Sequence, residues 1–140
     1  MPFHRIYCSS KLYTSEEKQA MAKAILECYK RVPAFYVVVS FIDIEKDNFF
    51  VGGEIRDRFL RITVDHLARI MSSDEEKREW MEKYEKCIEP WTKDKGIDWE
   101  VTISNQDPVF WNQNGYQPPP MGSEPFEIWK KNNKPSPYKL

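Results

Sequence analysis

Two histidines and three cysteines are all that this 140-residue sequence offers a soft metal or a disulfide frame. Cys8, Cys28 and Cys87 are odd in number and far apart, so they read as reduced thiols. No metal site and no cofactor is expected. No stretch approaches the roughly 18 consecutive apolar residues of a membrane span. Met1 to Ser10 lack the apolar region of a secretory signal. Together with reduced thiols, this predicts a cytoplasmic protein with no membrane partner. An excess of either charge is also missing. The chain has 21 basic and 22 acidic residues, and it has no basic block to hold nucleic acid. Glycine is scarce, and the Gly52-Gly53 pair is too short for a phosphate loop; it reads as a turn or bulge. What remains is an ordinary globular balance, with 41% apolar and 31% charged residues, and a length that fits one domain over 1–140.

Two segments of the chain follow one pattern. Phe3 to Cys8 reads as a short strand, and Thr14-Ser15-Glu16-Glu17 is a capping box that opens a helix running to about Arg31. The helix carries an apolar stripe of Met21, Ile25, Cys28, Tyr29 and Val32. Tyr36 to Ile42 is rich in β-branched residues and reads as a strand buried on both faces. The pattern then restarts. Phe59 to Leu67 is a strand, Ser73-Asp74-Glu75-Glu76 is a second cap, and the stripe is Trp80, Tyr84, Cys87, Ile88 and Trp91. Cap and stripe repeat with the same offset of 59 residues. Trp99 to Ile103 supplies a fourth strand.

The predicted fold is therefore α+β: a tandem β-α-β repeat forming a four-stranded sheet with two helices on one face. The first unit with the third strand spans 3–67, the second unit 59–104, and a proline- and aromatic-rich arm follows over 105–140. Helices on one face leave the other uncovered, which predicts association of subunits. The arm should lack regular structure because of its prolines. Its aromatic residues would pack either on a neighbouring subunit or on their own domain.

The chemistry of the terminus is the functional lead. Methionine before proline is normally removed, leaving Pro2 with a free secondary amine at the first position of the first strand. Burial or a nearby cation lowers an amine pKa, so such a nitrogen can serve as a general acid or base, or as a nucleophile.

A terminal proline on tandem β-α-β units resembles the tautomerase superfamily, and within it the cis-3-chloroacrylic acid dehalogenase group. The segments that carry the resemblance are Ala22-Lys23-Ala24-Ile25, Phe50-Val51-Gly52-Gly53, Val64-Asp65-His66-Leu67-Ala68-Arg69, and Gly115 followed by Pro118 and Pro119. The resemblance implies a homotrimer with active sites near subunit contacts, a small carboxylate substrate, and Pro2 as the catalytic residue. It also implies Arg69 as carboxylate anchor, a role that the guanidinium fork suits. Three further substrate-contacting positions fall on Tyr29, Thr102 and Gln113, and a second arginine is replaced by Ser72. Gln113 stands where the dehalogenases use a glutamate to activate water, and an amide cannot take that proton. Keto-enol tautomerisation of a 2-oxo or unsaturated carboxylate is thus the preferred reading. A hydratase or dehalogenase using Asp107 or Glu54 is one alternative, and a trimeric scaffold without activity is another. His4 and His66 read as packing or surface residues and Arg61 as a possible site residue. Cys8, read as close to Pro2, has nothing nearby to activate it.

Overall fold

The computed structural model describes residues 1–67 and 70–139. Strand β1 (Phe3–Ser9) leads into helix α1 (Ser15–Glu27) and strand β2 (Val38–Ile44). A small hairpin, β3 (Phe50–Val51) and β4 (Glu54–Ile55), precedes β5 (Phe59–His66), α2 (Asp74–Ile88) and β6 (Asp98–Asn105). A third helix, α3 (Glu124–Asn132), lies near the C-terminus.

The main sheet has the order β2-β1-β5-β6. The outer pairs are parallel and the central β1/β5 pair is antiparallel. Each parallel pair is joined by a crossover helix, as a β-α-β unit requires. The two units are related by a pseudo-twofold axis through the centre of the sheet, where Ile6 faces Ile62. His4, Ile6 and Cys8 of β1 and Leu60, Ile62 and Val64 of β5 are buried toward the helices. Met21, Ile25, Cys28, Tyr29 and Val32 are buried against them, as are Tyr84 and Ile88.

Local chemistry explains where the elements begin and end. Thr14 and Glu17 form a reciprocal capping box. At the second cap Ser73 accepts from the Glu76 amide, but the Glu76 carboxylate accepts from the Ser72 amide, one residue earlier than the sequence pattern suggests. Helix α1 stops at Glu27 rather than near Arg31. The N–H groups of Cys28, Tyr29 and Val32 reach back only three residues, to Ile25, Leu26 and Tyr29, and this tight winding runs up to Pro33. Strand β2 begins at Val38 because Ala34–Tyr36 form a 3-10 turn. It is an edge strand with no fully buried residue, not the doubly buried strand its composition suggests. Edge position, which no local pattern encodes, decides that difference. Gly52 and Gly53, with φ of 62° and 85°, make the two-residue turn of the β3/β4 hairpin.

The expectation of an irregular arm is overturned by α3. Pro125 sits in its first turn, where a missing N–H costs nothing, and Ser123 caps it. Phe126 and Trp129 are buried in the core of their own chain. Asn133 Oδ1 accepts the Phe35 amide at 2.9 Å and so anchors the end of α3 to the segment before β2.

The opposite sheet face stays open. Phe3, Tyr7, Val38 and Ile42 are only half-buried there. Arg5 pairs with Asp65 at 2.8 Å and Arg61 with Glu100 at 2.5 Å on the same face.

Candidate active site

Pro2 occupies the N-terminal end of β1, where the C-terminal end of β5 arrives from the opposite direction. Its carbonyl accepts the Val38 amide at 3.0 Å, which extends the β1/β2 ladder by one residue. Since Phe3 pairs with Val38 and with Asp65, the register sets Pro2 between Val37 and His66. Pro2 is fully buried, on the same side of the sheet as His4 and Ile6. The amine that precedes it is half-enclosed too: burial pushes the Met1 amino group from 8.0 down to about 4.

A layer of aromatic side chains lies under this strand end. Tyr29 of the turn after α1 stands 5.1 Å from Trp80, 5.5 Å from His4 and 6.0 Å from His66, ring centre to ring centre. His4 Nδ1 and Tyr84 Oη share a hydrogen bond of 2.8 Å. Burial, with the charge of His66 adding to it, pushes His4 down to about 3, so its ring is neutral at physiological pH. Burial raises the Tyr29 phenol, and it is therefore a neutral O–H donor. Its hydroxyl is buried and has no partner, and the indole N–H of Trp80 is in the same condition. Such groups are normally satisfied in folded proteins, so they are available to a ligand.

Two cavities open beside this layer. One, of about 410 Å³, is lined by Tyr29, His66 and Trp80, with Lys30, Arg31 and Lys83 among its other residues. The other, of about 330 Å³, is apolar and lies under the C-terminal arm, with Tyr36, Leu67, Trp111, Phe126 and Tyr138 in its wall. Val32 and Met121 line both, so the cavities share a partition. Tyr36 and Leu67 each adjoin a residue that flanks Pro2 in the register. The Tyr36 hydroxyl and the Trp111 N–H are buried without partners, with the two rings 4.7 Å apart. Burial, with a smaller contribution from Tyr138, pushes Tyr36 up to about 12. The arrangement combines a chamber in which Arg31 and Lys83 outnumber the one carboxylate, Glu27, which pairs with Lys30, an apolar chamber suited to a carbon skeleton, and neutral hydrogen-bond donors between.

The other residues singled out by sequence are scattered. Arg69 lies outside the described residues. Thr102 is exposed on the open sheet face, paired in register with Thr63 and away from both cavities. Gln113 closes a tight turn through Asn114 and Gly115 by exchanging backbone hydrogen bonds with Tyr116, and it lines neither cavity. Asp107 Oδ1 accepts the Val109 amide at 2.9 Å. Glu54 is exposed in the β3/β4 hairpin. Cys8 lies at the far end of β1 from Pro2, which corrects the expected closeness. Among the described residues no cluster of His, Cys, Asp or Glu could hold a metal ion. Tyr36, Trp111 and Lys83 were not legible as site residues. The only signal was that Lys83 lies on a helix whose stripe repeats that of α1.

A family model described as "Putative oxalocrotonate tautomerase enzyme" matches residues 1–134. Native RhCC from Rhodococcus jostii RHA1 is 34% identical, with a TM-score of 0.93 over 97% of this chain and 99% of that one. A protein of the thermophilic fungus Aspergillus fumigatus is 36% identical, with a TM-score of 0.92 over 99% and 98% of the two chains. N1, a member of the cis-3-chloroacrylic acid dehalogenase family, shares the fold at 16% identity and a TM-score of 0.74, over 94% of this chain and 97% of its own. A search of curated protein sequences returned no match.

Proposed function

Because the chain belongs to the Tautomerase_3 family, within the tautomerase superfamily, we propose that it is a proton-transfer enzyme whose base is the amine of Pro2. One observation carries the reading: Pro2 is buried at the strand end, opposite His66, which lines one of the cavities, and burial lowers the pKa of an amine. With Met1 removed, the Pro2 lone pair takes a proton from one atom of an enol or 2-oxo acid and returns it to another. The negative charge rests meanwhile on the enolate oxygen. Neutral Tyr29 and Tyr36 hydroxyls, both lacking other partners, are suited to stabilise it. Arg69 is assigned the substrate carboxylate through the family resemblance, and the basic chamber with Arg31 and Lys83 supports an anionic substrate. Dehalogenation by activated water has less support, since Gln113 bears an amide and Asp107 already accepts a backbone N–H.

The test is a screen of native-terminus protein on enol forms of 2-oxo acids and on halogenated acrylates. Turnover of the enols, with KM raised by one to two orders of magnitude in Arg69→Ala, is expected; each lost charge-assisted bond is worth roughly 1.5–3 kcal/mol. Inactivity on every acid tested would count against the enzyme reading and favour a scaffold.

The reading includes a homotrimer. Half-buried Phe3, Tyr7, Val38 and Ile42 on the open face support it, because apolar surface of this kind is stabilised by a partner. Thr102, exposed on that face, would then reach a site only across a subunit contact. A solution mass equal to a single chain at micromolar concentration would remove this assembly.

A further inference from the structure

Cys28 and Cys87 occupy matched positions in the two repeats, and the fold makes them neighbours. The pseudo-twofold axis passes between α1 and α2, so residues close to it meet their own counterparts. Two matched pairs surround the axis: Ala24 with Lys83, and Cys28 with Cys87. Their contacts mirror each other. Cys87 Sγ donates to Ala24 O at 2.8 Å, and Lys83 Nζ donates to Cys28 O at 3.1 Å. Ala24 lies one helical turn before Cys28, so Cys87 Sγ reaches across the axis to the turn that carries Cys28, and neither cysteine is bridged to another.

The two thiols differ in a useful way. The Cys87 side chain, with the Lys83 ammonium assisting, holds Cys28 below the ordinary thiol value although burial opposes it. Cys87 is correspondingly raised, chiefly by Cys28, and remains a thiol. Cys28, though buried, lines the cavity with Arg31 and Lys83, and Cys87 is half-buried, so a small oxidant reaches the pair through that cavity. Cys8 provides the contrast. It donates to Asp43 Oδ1 at 3.5 Å, and burial pushes it up to about 12, which makes it a poor nucleophile.

We propose that Cys28 and Cys87 form a redox-modification site at which a hydroperoxide drives an intramolecular disulfide that ties α1 to α2. The Cys28 thiolate attacks the terminal oxygen of the hydroperoxide. The O–O bond breaks, the departing alkoxide or hydroxide leaves as alcohol or water, and Cys28 becomes a sulfenic acid. The Cys87 sulfur then attacks Cys28 Sγ, the S–O bond breaks, and hydroxide leaves with the Cys87 proton as water. Two thiols are oxidised by two electrons and one hydroperoxide is reduced. The bridge sits beside Tyr29, so it forms in the wall of the candidate active site, but its formation is independent of any catalytic role for Pro2.

Reduced full-length protein should be treated with hydrogen peroxide and its mass taken without reductant. The expected product is lighter by about 2 Da, remains monomeric by covalent mass, and regains its mass with dithiothreitol. Peptide mapping should join the segments holding residues 28 and 87, leaving Cys8 open to maleimide. Cys8→Ser should behave identically, while Cys87→Ser should stop at oxygen addition on Cys28, a gain of about 16 Da or a multiple of it. A bridge to Cys8, a covalent dimer, or oxygen addition to wild-type protein without loss of two thiols would overturn the proposal. The wild-type map decides the matter even if a variant fails to fold.

Discussion

Protein whose terminus is acetylated, or which retains Met1, is expected to fold normally and to lose turnover by about 10²- to 10⁴-fold, the usual contribution of a general acid or base. Either modification leaves every side chain in place. What disappears is the basic lone pair on the Pro2 nitrogen, which becomes an amide. The pH profile of unblocked protein should carry the same message with a defined sign. A base works only when deprotonated, so turnover should rise with pH through the pKa of the amine. Pro2 is buried at this end of β1, and burial lowers the pKa of an amine. The acid limb should therefore lie below about pH 8, the ordinary value for an α-amino group, and acetylated protein should show no such limb. Pro2→Ala keeps a free amine after methionine removal, so it should retain part of the activity. Undiminished turnover in acetylated protein would exclude Pro2 as the catalyst.

Trp129→Ala is expected to destabilise the protein by about 3–5 kcal/mol, the range for deleting a large buried aromatic. Trp129 is the largest fully buried side chain among the described residues. It packs 6.1 Å from Phe35, 6.4 Å from Tyr36 and 6.0 Å from Tyr138, measured between ring centres. Its indole N–H donates to Ser136 O at 2.9 Å, so truncation also strips a partly buried carbonyl of its partner. The neighbouring Ile128, 44% exposed, is the control: Ile128→Ala should cost well under about 1 kcal/mol. Urea unfolding of both variants checks the pair. Because Phe126 and Tyr138 line the apolar cavity, loosening α3 should also open one wall of the candidate site. A loss below about 1 kcal/mol in Trp129→Ala would mean that the arm is dispensable to the fold.

Most of the architecture was legible before any coordinates. The caps at Thr14 and Ser73 and the stripes beginning at Met21 and Trp80 are local patterns whose period reports the helix directly. Their common offset revealed the repeat, and the repeat implies the pseudo-twofold sheet. Of the residues read from the sequence, Tyr29 lines a cavity and Pro2 is buried at the strand end above it, each tied to a stripe or a terminus. Thr102 shows what counting cannot supply: it reaches a residue number, but strand parity sends that side chain to the open face, away from both cavities of its own chain. Gln113 sits on a turn whose place depends on how the arm packs.

The sequence by itself determined the elements, their repeat and the proline at the head of the first strand, because hydrophobic period, capping and terminal chemistry act between residues a few positions apart. Tertiary structure alone decided that β2 is an edge, that the arm folds back as α3 onto its own core, and that Tyr36 and Trp111 meet in one cavity. It also decided that Cys87 meets the helical turn that carries Cys28. These relations join residues tens of positions apart, and only the burial of shared apolar surface brings them together.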